Sequence, residues 1–199
     1  MLNYEINEKI LYNIKTKVNN KSIMLIGLMG VGKSSIAKEM SKILSVDLID
    51  TDYEIEKKIG TTITNFFKKN SEKEFREIEK KLILDMLDSK SNSYGINNIM
   101  AIGGGAFINK DIRKLSKKNS ITIWLKADLN IIYKRVKEKI NKRPLLEEGN
   151  VLSKLNKLAK ERNKFYSMAD ITVETSNKSK NLMANKVLYY LHKYLLAAK

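Results

Sequence analysis

The residues whose types and spacing most plainly serve chemistry run from Gly27 to Ser34. They read Gly-Leu-Met-Gly-Val-Gly-Lys-Ser and fit the pattern G-x-x-x-x-G-K-[ST] in full. Glycines in such a run let the backbone curl until successive N–H groups point at one place, and a place ringed by N–H groups holds a phosphate. A helix that begins at Lys33 adds its positive N-terminal end. Lys33 carries a compact charge toward the outer phosphates of a nucleoside triphosphate, and the Ser34 hydroxyl is a ligand for Mg2+. At ordinary residue frequencies the pattern arises by chance in a chain of 199 residues on the order of one time in a hundred. The apolar run Ser22–Ile26 before it and the helical stripe after it supply the strand and helix that the motif needs. No Asn-Lys-x-Asp tetrapeptide, the guanine-reading motif of a GTPase, occurs. A hydrolysis-driven switch therefore falls behind phosphorylation of a small molecule.

Further candidates follow along the chain. Asp50 and Asp52 stand at the end of a second apolar run, Val46–Ile49, and strand ends are where open parallel sheets bind ligands. If the strand persists, the two carboxylates point the same way, one toward a Mg2+ shell and one toward a substrate hydroxyl. The bland alternative is that Asp52 caps the helix that follows. Gly103-Gly104-Gly105 also follows an apolar run, Ile99–Ile102, and is either a tight turn or a place of close ligand approach. Arg76 lies four residues after Glu72 and three before Glu79, so a solvated ion pair on a helix competes with a site role. Arg143, beside the sole proline Pro144, sits in a charged loop able to fold over phosphates as a lid, and Arg162 sits on the helix after that loop.

The elements that must position these residues alternate. Short apolar strands at Ser22–Ile26, Val46–Ile49, Ile99–Ile102, Ile121–Leu125 and Ile171–Val173 are separated by helical stripes. Ser71 with Glu74 three residues on is a capping-box start for a helix to about Leu87, and Asp128 can cap another running to about Ile140. Such alternation implies an α/β fold with a parallel sheet covered on both faces. Ile6, Ile10 and Ile14 form a stripe on a short accessory helix within residues 1–21, ahead of a single domain over 22–199. The composition excludes much: without cysteine there is no disulfide framework or thiolate chemistry. No run approaches the roughly 20 apolar residues that span a bilayer, and the N-terminus lacks the apolar stretch of a signal peptide, so a cytoplasmic protein with no membrane association is expected. The net charge of +16 is spread along a lysine-rich chain without an RNA-binding motif, so no nucleic-acid partner is expected. The sole histidine, His192, is placed on a helix surface near the C-terminus.

Taken together, the stretches GLMGVGKSS, LIDTDYEIEKKIG, FREIE, GGG, RPLL and ERNKFYSMAD, in that order, resemble the shikimate kinases from about Ser22 to the C-terminus. The resemblance implies a three-layer P-loop kinase fold like that of nucleoside-monophosphate kinases. Five parallel strands would be flanked by helices, with a substrate-binding segment over about 51–88 and a lid over about 141–150. It implies transfer of the γ-phosphoryl group of ATP, with Mg2+, to the 3-hydroxyl of shikimate in aromatic amino-acid biosynthesis, by a monomer. Gly30, Val31, Gly32, Lys33, Ser34 and Ser35 would hold the phosphates, and Ser34 and Asp50 the metal. Asp52 would bind ring hydroxyls and accept the reacting proton. Arg76 and Arg162 would hold the carboxylate beside Gly104 and Gly105. Arg143 would be the lid arginine and Arg135 would pack on adenine. Ile102 stands where many members have Thr, no proline occurs near Thr175–Lys180, and the segment before Ser22 and the loop 89–98 lie outside the family core. A gluconate kinase is the runner-up, but its substrate motif carries a histidine that this chain lacks.

Overall fold

The computed structural model describes residues 4–88, 98–137 and 150–197. Five strands form one parallel sheet in the order β2-β3-β1-β4-β5. They are β1 (Ser22–Ile26), β2 (Leu48–Asp50), β3 (Ile99–Ala101), β4 (Ser120–Lys126) and β5 (Ile171–Glu174). Every residue of β1 is buried, as befits a central strand with helices on both faces, whereas the edge strand β5 alternates buried and exposed. The chain passes from β1 outward to β2, returns to β3, then crosses to β4 on the other side of β1. The sheet order therefore reverses at the C-terminal end of β1, where such sheets open a crevice for ligands.

Helix α1 (Glu8–Lys17) starts at Asn7, whose side chain accepts from the Ile10 N–H at 3.0 Å. Its apolar stripe does not stand apart from the domain. Ile14 and Val18 are 1% and 4% exposed within the main core, where α1 meets α9 (Lys180–Ala197). Helix α2 (Lys33–Leu44) packs between the sheet and α9, burying Ile36, Ala37, Met40 and Leu44. Helix α5 (Glu72–Leu87) carries the full capping box between Ser71 and Glu74. It shares a second, small core with α3 (Thr51–Ile59) and α4 (Ile63–Phe67), made of Ile55, Phe66 and Phe75.

Three elements depart from the sequence pattern. The second strand runs Leu48–Asp50 and gives way at once to α3, so it does not persist through Asp52. Asp50, not Asp52, is the helix cap: its Oδ1 accepts from the Asp52 N–H at 3.1 Å. Helices α4 and α6 (Lys110–Asn119) arise where the pattern offers little, since α6 fully buries only Ile112 and Ser116 and depends on its Asn109 cap. Asp128 does cap α7 (Leu129–Lys137), accepting from the Asn130 N–H at 2.7 Å. His192 on α9 is half-buried rather than on the surface, because α1 covers it. Its Nδ1 is shielded and has no hydrogen-bond partner among the described residues, and burial lowers its pKa, with Lys17 and Lys9 adding to the effect.

If α1 is part of the core, Ile14→Ala should lower the unfolding free energy by about 2–5 kcal/mol, as deletion of a buried isoleucine does. Ile6→Ala, at the margin of the same stripe, should cost less. Urea denaturation of both variants measures this, and equal small effects would detach the helix from the domain.

Candidate active site

Between β1 and α2 the chain forms a tight loop. Gly32 sits at the helix N-cap with φ +106°, a conformation that side chains rarely adopt. Lys33 folds back over the loop, its Nζ donating to the carbonyls of Gly27 and Leu28 at 2.9 and 3.1 Å. The loop from Met29 to Ser35 borders a cavity of about 430 Å³, also bordered by Asp50, Asp52, Gly104 and Arg135. That size suits a small-molecule site. Arg135 reaches this cavity from α7. Its Nη1 donates to the Gly30 and Val31 carbonyls at 3.4 and 3.2 Å, and its Nη2 to Ser176 O and Asn177 Oδ1 at 2.8 and 3.2 Å. It thereby ties the phosphate loop to the segment after β5.

The other half of the site forms where β3 ends. Thr51, fully buried, accepts from the Gly103 N–H at 3.0 Å and pins the glycine triplet to the start of α3. The triplet is crowded by side chains. A Cβ on Gly103 would lie 2.3 Å from Glu79 Oε1 and 3.3 Å from Asp52 Oδ1. On Gly104 it would lie 3.4 Å from Arg162 Nη1, and on Gly105 2.7 Å from the Arg76 guanidinium. The glycines are there so that two arginines and two carboxylates can close on bare backbone. The Tyr166 hydroxyl donates to the Gly104 carbonyl and fixes helix α8 (Val151–Tyr166) against the triplet. Arg76, Glu79 and Arg162 border a second cavity of about 560 Å³, which runs outward past Glu72, Lys154 and Lys157.

Both sequence readings of Arg76 are present at once. Its Nε and Nη2 donate to Glu72 Oε1 at 3.3 and 2.9 Å, and its Nη1 donates to Glu79 Oε2 at 2.6 Å. Yet the ion pair is not a solvated one, because the Glu79 side chain is only 2% exposed. Burial pulls the Arg76 pKa down, but the carboxylates of Glu79 and Glu72 outweigh it and the net shift is upward. Burial raises the Glu79 pKa, Arg76 opposes it, and the neighbouring Asp52 charge adds to the rise. Arg162 is 5% exposed, and its shielded Nε has no hydrogen-bond partner among the described residues. A buried guanidinium with an unpartnered donor, its Nη1 beside bare glycine backbone, is a place made for an anion. Burial also raises the Tyr166 pKa, against the pull of Arg162.

The structure therefore brings together Asp50, Asp52, the phosphate loop, Gly104, Gly105, Arg76 and Arg162. Arg143 lies outside the described residues, as does all but the final residue of the expected lid. Glu79, Thr51 and Tyr166 hold the site but were not singled out from the sequence. Glu79 looked like a surface partner of Arg76, and the signal that could have found it is the Arg-x-x-Glu spacing on the buried face of α5. For a divalent cation, Ser34 and Asp50 border one cavity, an oxygen-only pair that suits Mg2+ completed by phosphate and water. Among the described residues no three His, Cys, Asp or Glu side chains are grouped to hold a metal by themselves.

A phosphate loop at the sheet's switch point, facing an acid, the buried Arg162 and the half-buried Arg76, defines a P-loop phosphotransferase for a small anionic acceptor. The family model described as "Shikimate kinase" matches residues 29–192. The shikimate kinase of Bartonella henselae is 38% identical over 187 residues, covering 94% of this chain and 86% of that protein. The shikimate kinase from Acinetobacter baumannii, solved in complex with shikimate, superposes with a TM-score of 0.79 at 31% identity, covering 88% of this chain and 94% of that one. A gluconokinase from Sinorhizobium meliloti shares the fold alone, at a TM-score of 0.56 and 11% identity over 89% of this chain and 95% of that one. The chain belongs to the shikimate kinase family.

Two outcomes follow from the crowding at the triplet. Gly105→Ala should push the Arg76 guanidinium aside and raise the KM for the anionic acceptor about tenfold or more, as loss of one partner from a desolvated charge pair does, while ATP KM stays near wild type. Glu79, whose native pKa is raised above its ordinary 4.5, contributes stability that is full below about pH 4.5 and is lost as pH rises through the native value. The stability of Glu79→Gln relative to wild type should therefore improve between pH 4.5 and neutrality, measured by urea denaturation at both ends; a pH-independent difference would contradict the burial effect.

Proposed function

We propose that this protein phosphorylates the 3-hydroxyl of shikimate with ATP, giving shikimate 3-phosphate and ADP in aromatic amino-acid biosynthesis, as a cytoplasmic monomer. The observation that carries the reading is the convergence on the glycine triplet, beside Asp52, of Arg76 and the Arg162 guanidinium, whose buried Nε has no hydrogen-bond partner among the described residues. In this reading the acceptor's carboxylate is gripped by Arg76 and Arg162 with Gly104 and Gly105 beneath it, so that a ring hydroxyl falls near Asp52. Gly30, Val31, Gly32, Lys33, Ser34 and Ser35 hold the triphosphate, with Arg135 at the adenine end. Ser34 and Asp50 would hold Mg2+, which would supply charge neutralisation for the triphosphate. The acceptor oxygen forms a bond to the γ-phosphorus as the bond to the ADP oxygen breaks, and Asp52 takes the hydroxyl proton. Arg143, from the lid, would stabilise charge on the transferring group and help exclude water.

ADP release measured with shikimate, gluconate and no acceptor in parallel tests the substrate. Turnover with shikimate alone is expected, and equal turnover without acceptor would mark a hydrolase. Lys33→Ala should abolish ADP release while thermal unfolding shows a folded protein. Arg162→Ala should lower kcat/KM for shikimate by roughly 2–5 kcal/mol, and a wild-type value would remove Arg162 from the carboxylate grip.

A further inference from the structure

Arg76 is held by two carboxylates of different character. Glu79 is 2% exposed and makes one short contact, at 2.6 Å. Glu72 is 55% exposed, stands in the first turn of α5 at the cavity's outer rim, and uses a single oxygen for both Nε and Nη2 at 3.3 and 2.9 Å. The Nε–Nη2 edge is one of the two edges of a guanidinium whose parallel N–H groups fit a carboxylate bidentately, and Glu79 already holds Nη1 of the other. Glu72 therefore lies on the edge of Arg76 that an incoming acid could take over.

We propose that Glu72 is an internal competitor for the acceptor's carboxylate, an exposed side chain that the substrate must displace from Arg76 in order to bind. The inference rests on the reading of Arg76 as part of the carboxylate grip. Glu72 is the replaceable partner because an exposed ion pair is worth at most about 1 kcal/mol, whereas Glu79 is fixed by the core. Displaced, Glu72 swings into solvent a helix turn away from Arg76. While in place it keeps the guanidinium oriented and its charge balanced. It acts through Arg76 and touches no reacting atom, so it is a positioning residue that sets acceptor affinity.

The test is steady-state kinetics with varied shikimate at saturating ATP. Glu72→Gln should lower the shikimate KM about three- to fivefold, the fold-change equivalent to displacing a pair of about 1 kcal/mol, with the effect on KM rather than kcat. Glu72→Asp, too short to hold the edge as well, should lower it less. In an Arg76→Ala background, where KM is already raised, Glu72→Gln should change nothing. An unchanged or raised KM in Glu72→Gln, with Arg76→Ala still impaired, overturns the competition and leaves the grip standing: the acceptor would then use the N–H groups that Glu72 does not hold. A fall in KM that persists without Arg76 also overturns it, since only the long-range field would be at work. A wild-type KM in Arg76→Ala removes the grip and the competition together. Thermal unfolding of each variant confirms that a folded protein is compared.

Discussion

The structure of the site depends on one constraint, the burial of the Glu79 carboxylate against bare glycine backbone. A carboxylate at 2% exposure is tolerated only when positive charge compensates it, and Arg76 donates to it while Arg162 adds a nearby charge. Their guanidinium groups can come so close only because Gly103, Gly104 and Gly105 present no side chains. Removing the glycines, the acid or either arginine would leave the others with an unpaired charge or a steric clash. The triplet is thus less a flexible turn than a socket for charged groups.

That socket is placed by ordinary sheet physics. β3 is fully buried and pairs with β1 and β2, so its C-terminal end emerges between the phosphate loop and Asp50. The Thr51 hydroxyl and the Tyr166 hydroxyl then pin the triplet from α3 and α8. The small aromatic core of Ile55, Phe66 and Phe75 holds α5 at the angle that turns Arg76 inward, with the guanidinium 5.4 Å from the Phe75 ring centre. Acceptor side and nucleotide side therefore rest on separate clusters that meet at the glycines. This arrangement suits an enzyme that must bind two anions without letting them repel one another outward.

Electrostatics divides the labour. The net charge of +16 is mostly a lysine-rich surface. The charges that matter chemically are few, and they are balanced by buried or half-buried acids. Arg135 shows the same economy at the phosphate loop, where one guanidinium joins that loop to the segment after β5 through four acceptors. Three of these acceptors are backbone carbonyls, so the guanidinium is held in place without an opposing charge.

The sequence by itself determined the alternating α/β order, the phosphate loop with Lys33 and Ser34, and the capping box at Ser71. These are local: glycine spacing, apolar periodicity and side-chain reach within a turn of helix. It also named Asp50, Asp52, Arg76 and Arg162 as candidates, chiefly through resemblance, and left Arg76 open between surface and site. Helix α6 was missed because it offers only two apolar residues in ten, Ile112 and Leu115, and its place is set by packing against α5 and β4. That Asp50 rather than Asp52 caps α3 was not legible, because an aspartate that closes a strand and one that caps a helix look alike in sequence. Only the tertiary structure decided that Glu79 is buried, that α1 belongs to the core, and that Arg76, Arg162 and the glycines meet. Each of these depends on contacts between residues dozens of positions apart, and no local pattern encodes such a distance.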